Sequence, residues 1–91
     1  MIEIAFSSSF KRVFKKRIQG QPFLEEKFWN RVDIFKHDPF DNRIKTHKLS
    51  GDLKELWSFS VDYDIRVIFY FSDDSKNRVV FVDIGKHDVV Y

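Results

Sequence analysis

"LWSFSVDYDIRVIFYFS", residues 56–72, carries two strand signals separated by one short link. In its first part Trp57, Phe59 and Val61 alternate with smaller or polar residues, so a pleated strand over 56–62 places all three on one face. In its second part, residues 64–72 form a nearly continuous β-branched and aromatic run interrupted by one charge, Arg66. Only Tyr63 and its neighbours lie between the two, and a link this short joins antiparallel neighbours. Downstream, "DDSKN" leads to "NRVVFVDIG", residues 77–85, a third strand joined in the same way.

Upstream the period changes from two to between three and four. "SSSFKRVFKKRIQG" spaces Phe10, Val13, Phe14 and Ile18 as one helix face, with serines able to cap its start and Gly20 able to end it. Pro22 opens a second helix whose Phe23, Leu24, Phe28, Val32 and Phe35 repeat as far as "KHDPF", with Glu25 and Glu26 at the positive end of the dipole. "IEIAF", residues 2–6, is a short strand ahead of both. Residues 38–54 lose all periodicity and read as a mostly exposed connection with a turn at Ser50-Gly51.

The expected fold is therefore α+β: one domain over 1–91, in the order β-α-α-β-β-β, with a helical hairpin packed on a mainly antiparallel four-stranded sheet. The first strand should return beside one of the last three, since its apolar side would otherwise be unprotected. Ninety-one residues leave no room for a second core.

Composition narrows the function. The chain is 43% hydrophobic and 33% charged, with 11 Phe, which is neither a disordered nor a membrane-spanning composition. Its longest apolar runs, such as "VIFYF" at 67–71, fall far short of the ~20 residues needed to cross a bilayer. The N-terminus lacks a basic leader followed by an apolar stretch, so a cytoplasmic location is expected. Absence of cysteine removes disulfides, zinc–thiolate sites and thiol nucleophiles together. A net charge of +2 demands no nucleic-acid partner, but "KRVFKKR", residues 11–17, concentrates five basic residues without an acid. That run is either the solvated face of a helix or a phosphate-backbone contact.

The chemistry-bearing candidates are few. Arg66 is a charge in an apolar strand; it either pairs with Asp64 or Asp83 or holds a phosphate with its forked donors. His37 belongs to a helix end, where the dipole and Asp38 favour a cation. His47 sits in the exposed connection and His87 in the tail. Two imidazoles with an arginine suit cleavage of RNA by its own 2'-hydroxyl, in which a base removes the hydroxyl proton, an acid protonates the departing 5'-oxygen and a cation stabilises the phosphorane charge. That reaction requires no metal or other cofactor. A metal site at His47 and His87, with Asp64 or Asp88 as a third ligand, is the competing use of the same residues. Glycine-rich phosphate loops, paired helical histidines and nucleophile elbows are absent from the sequence.

"HKLSGDLKELWSFSVDYDIRVIFYF", residues 47–71, followed by "VDIGKHDVVY", residues 82–91, resembles the RelE/ParE superfamily of bacterial toxins, and within it the YafQ-like mRNA interferases. The shared pattern is an H-x-L-x-G segment, a W-S strand, a D-x-R-V-x-F strand and a closing G-x-H-D-x-V-Y. The resemblance implies a RelE-like fold and a ribosome-dependent endoribonuclease that cuts mRNA and is held inactive by a cognate antitoxin. It also implies roles: His47 as a catalytic histidine, Asp64 in acid–base work, Arg66 on the phosphate and His87 as the general acid. Lys48 and Lys86 would add phosphate attraction, Gly85 would permit a tight turn before His87, and Tyr91 would either stack on a base or pack. Where these toxins carry a further histidine, this chain has Ser60. Two other readings share the fold: a ParE-type inhibitor of DNA gyrase, and a toxin homologue that has lost activity and acts only by binding.

Overall fold

Phenylalanine builds the core of this protein. The computed structural model describes residues 1–50 and 55–86, and six Phe side chains, Phe10, Phe28, Phe35, Phe59, Phe69 and Phe81, are fully buried. Phe35, from a helix, lies 4.8 Å from the Phe59 ring and 4.9 Å from the Phe69 ring, both on strands. Such centroid spacings are those of attractive aromatic pairs, which add to the area each ring removes from water.

Seven elements surround this core: β1 (Glu3–Phe6), α1 (Ser8–Arg17), α2 (Pro22–His37), β2 (His47–Lys48), β3 (Trp57–Ser60), β4 (Ile65–Phe71) and β5 (Arg78–Lys86). The strands form one sheet in the order β1-β5-β4-β3-β2. β1 returns to run parallel to β5, and the other three pairings are antiparallel. The helices cover the face that carries Phe59, Phe69 and Phe81.

Local chemistry sets the helix limits. Ser7 caps α1 by accepting a hydrogen bond from the Phe10 amide at 3.0 Å, and Lys15, Lys16 and Arg17 occupy the last turn, where the dipole favours cations. Gly20 adopts a φ of 90°, a left-handed conformation that ends the helix and that few other residues accept. Pro22 and Glu25 stand in the first turn of α2. Among the described residues, no helix is long and apolar enough to cross a membrane.

The connection after α2 differs from the expectation. It contributes a fifth strand, β2, two residues long, and buries Ile44 and Leu49 at 0% and 7% exposure. Ser60 donates its amide to the Ile44 carbonyl at 2.7 Å, and Leu49 donates to Leu56 at 2.9 Å, so the segment is fastened to the edge of β3 on both sides of the β2 ladder. Isolated apolar anchors in a polar stretch leave no period for a pattern to reveal. Gly51, half of the expected Ser50-Gly51 turn, lies outside the described residues.

Gly85 also departs from expectation: it lies inside β5, buried and paired with Arg66, and makes no turn. The β4–β5 register shifts between Ile68 and Phe69, leaving Val82 as an extra residue. Its carbonyl accepts a hydrogen bond from Ser9 Oγ of α1 at 3.0 Å, which ties the irregularity to the helical layer.

Candidate functional site

Strand alternation decides which side chains can meet. Phe59, Val67 and Ile84 are each fully buried beneath the helices, so their neighbours Ser60, Arg66 and Gly85 face the other side of the sheet. Ser58 shares that face, and its partner across the ladder is His47. His47 and Arg66 thus point the same way, two strands apart and two residues out of step, roughly 12 Å between Cα atoms from ordinary strand spacings. Lys48, opposite Trp57, falls on the other face from His47.

Arg66 has an unusual environment for a strand cation. Its Nη1 donates to Ser60 Oγ, while among the described residues its buried Nε has no hydrogen-bond partner. It forms no ion pair with Asp64 or Asp83; Asp83 instead accepts a hydrogen bond from the Ile84 amide at 2.8 Å. Opposite it, Gly85 presents no side chain that would crowd the guanidinium. A buried donor without an acceptor costs on the order of 1–3 kcal/mol. An oxygen-rich ligand would recover part of that cost.

The cavity beside Arg66 supplies the place for one. It has a volume of about 720 Å³ and is formed where β3 ends, β4 begins and β5 ends, against the outer side of α2. Asp64, Arg66 and Lys86 line it, as the sequence pattern grouped them. So do four cations that the pattern did not single out: Lys27 and Arg31 of α2, and Arg43 and Lys45 of the connection. Lys27 and Arg31 stand one turn apart, a spacing readable in the sequence, but indistinguishable there from a solvated helix face.

Two of these cations are matched by carboxylates. Lys27 Nζ lies 2.8 Å from Asp62 Oδ1, clamping the β3–β4 link to α2, and this hydrogen bond is the main reason the Asp62 carboxyl is held below the usual carboxylate range. Arg43 grips Asp41 with Nε at 3.0 Å and Nη2 at 2.9 Å, which lowers the Asp41 pKa to about 2.

His47 does not line the cavity, yet its ring is oriented. Its Nδ1 lies 3.2 Å from the Lys45 carbonyl and its Nε2 3.4 Å from Ser58 Oγ. A carbonyl only accepts, so in the neutral ring Nδ1 bears the proton and Nε2 is the basic nitrogen. Lys45 has a φ of 51°, a left-handed conformation uncommon for a lysine, and such conformations concentrate at functional sites. His37 ends α2 as expected, but its partner is Asp33, one turn back: Nδ1 meets the Asp33 carbonyl at 2.9 Å and the carboxylate at 3.9 Å.

His87 and Tyr91 lie outside the described residues, as does Asp88 of the competing metal reading. Among the described residues no three His, Asp or Glu side chains are grouped so as to hold a metal ion.

Solved structures share the fold across nearly the whole chain. A copper-bound toxin mutant from Helicobacter pylori superposes with a TM-score of 0.77 at 19% identity, with 100% of both chains covered. YafQ from Escherichia coli BL21(DE3) gives 0.73 at 18% identity, covering 100% of this chain and 99% of its own. The YoeB-YefM complex from Staphylococcus aureus gives 0.74 at 18%, covering 96% of this chain and 98% of the other. A search of curated protein sequences gives no match. The family model for YafQ, the bacterial toxin of a type II toxin-antitoxin system, matches residues 2–91. With that match spanning both the helical layer and every strand of the sheet, the chain belongs to the YafQ family of type II toxins.

Proposed function

We propose that this toxin is a ribosome-dependent mRNA endoribonuclease that cleaves by attack of a 2'-hydroxyl on the adjacent phosphorus. The observation that carries the reading is the Arg66 guanidinium: it lies on a basic cavity wall and, among the described residues, has a buried Nε without a hydrogen-bond partner and forms no ion pair. A purely structural arginine in a strand would be paired, because unpaired burial is costly.

In this reaction the 2'-oxygen bonds to phosphorus as the bond from phosphorus to the 5'-oxygen breaks, giving a 2',3'-cyclic phosphate and a free 5'-hydroxyl. His47 Nε2 takes the hydroxyl proton; its Nδ1 proton, held toward Lys45, fixes the tautomer this requires. His87 returns a proton to the leaving oxygen, an assignment that rests on the family pattern alone. Arg66 carries the charge that grows on the non-bridging oxygens, aided by Lys86, while Asp64 joins the acid–base work at the rim. Lys48, on the opposite face from His47, contributes to RNA attraction only at long range, and Tyr91 keeps its alternatives of stacking or packing. The partners are the ribosome with its mRNA in the cytoplasm, and a small cognate antitoxin, as YoeB has in its complex with YefM.

Expression of the chain in a translating extract, followed by mapping of transcript ends, tests this. Cuts confined to translated RNA are expected, and lost in Arg66→Ala, His47→Gln and His87→Gln variants of unchanged fold. DNA damage with intact transcripts would select the gyrase-inhibitor reading, and neither effect would select an inactive homologue.

A further inference from the structure

The cavity is larger than the chemistry of one phosphate requires. Its volume of about 720 Å³ falls within the ~300–1,000 Å³ of pockets that enclose whole drug-sized ligands. Its cations are not equivalent. Lys27 and Arg43 are neutralised by Asp62 and Asp41; the first pair fastens α2 to the β3–β4 link, and the second is local to the connection. Arg31 and Lys45 are different: among the described residues neither forms an ion pair, and Arg31 Nη1 donates to the neutral Asn30 side chain, at Oδ1, over 2.7 Å. Arg31 lies close enough to Asp62 to help lower its pKa, so its charge is felt inside the cavity.

We infer that Arg31 and Lys45 form a second anion subsite, which holds the phosphodiester next to the one that Arg66 engages. The inference rests on the nuclease reading and deepens it, by giving the substrate two anchored phosphates. Two neighbouring phosphates fixed at separate points of the cavity would define the path of the strand and hold the scissile linkage against rotation. Lys45 would couple the two tasks, since its side chain lines the cavity while its carbonyl orients His47. An acidic peptide is the other polyanion that a basic wall attracts. RNA is favoured because the same cavity presents the Arg66 guanidinium, whose forked donors match phosphate.

The test is binding of a short 2'-O-methyl RNA, which cannot be cleaved by 2'-hydroxyl attack, followed by fluorescence anisotropy across a salt series. Arg31→Gln and Lys45→Asn, the latter chosen because Asn tolerates the left-handed backbone, should each weaken binding several-fold at low salt and reduce the salt slope by about 0.7. Lys36→Gln, a charge loss elsewhere on α2, should leave the slope at the wild-type value. Binding of a nucleoside 5'-monophosphate should be lost in Arg66→Ala and unaffected by Arg31→Gln, since one phosphate needs only one subsite. Slopes unchanged in both cavity variants, absence of wild-type binding at low salt, or weakened binding of a polyglutamate peptide with RNA unaffected would each overturn the inference. If transcripts are never cut but the slopes still fall, the subsite stands and the nuclease reading alone fails.

Discussion

The two faces of the sheet have opposite economies of charge and volume. On the helical side, Phe35 packs on Phe59, Phe69 and Phe81, and every ring finds an apolar neighbour. On the other side, among the described residues, Arg66 keeps a buried donor without an acceptor, and the adjoining cavity gathers six cations against two carboxylates, Asp62 and Asp64. Adjacent residues of one strand serve these different ends: Val67 is fully buried in the core and Arg66 lines the cavity. The difference teaches that stability is concentrated where contacts are complete, and binding capacity where they are left incomplete.

The sharpest way to break this contrast is to hollow the helical side. Phe35→Ala should lower unfolding free energy by about 3–5 kcal/mol, read from denaturant midpoints, since it removes a fully buried ring from among Phe59, Phe69 and Phe81. Next comes Arg66→Met, which replaces the guanidinium by an apolar chain of similar reach. It should cut transcript cleavage by roughly 100- to 1,000-fold, as loss of a transition-state charge contact does, while leaving the thermal midpoint equal or higher. A large fall in that midpoint would make Arg66 a structural residue and erase the contrast. Ser7→Ala removes only the cap of α1 and should cost about 1 kcal/mol.

The smallest effect concerns the clamp between the faces. Asp62 has a lowered pKa in the folded state, so its charge favours folding above the ordinary carboxylate value, and the contribution is lost as pH falls through the folded pKa. The ion pair with Lys27 is more than a third exposed on both sides, which limits it to less than about 1 kcal/mol. Asp62→Asn should therefore flatten the acid limb of the stability profile slightly and leave neutral-pH stability almost unchanged.

Much of the architecture was legible because burial imposes a period. The alternation of Trp57, Phe59 and Val61 and the spacing of Phe28, Val32 and Phe35 follow directly from which side must be dry. The two-residue strand His47–Lys48 was not legible, because two residues carry no period and its anchors, Ile44 and Leu49, are single apolar residues in a polar stretch. For the site, Asp64, Arg66 and Lys86 were visible as a pattern and share one cavity. Lys27, Arg31, Arg43 and Lys45 were not, since a cation on a helix or loop looks the same in sequence whether it faces solvent or a concavity.

By itself, the sequence determined the order of the two helices and the four longer strands, their periodic apolar faces and the charge set into β4, because local spacing and solvent exclusion act along the chain. Only the tertiary structure decided that β1 runs parallel to β5, that the connection supplies an edge strand, and that α2 brings its cations to Arg66. Those outcomes depend on contacts between residues far apart in sequence, whose free energy exists only after the layers have closed.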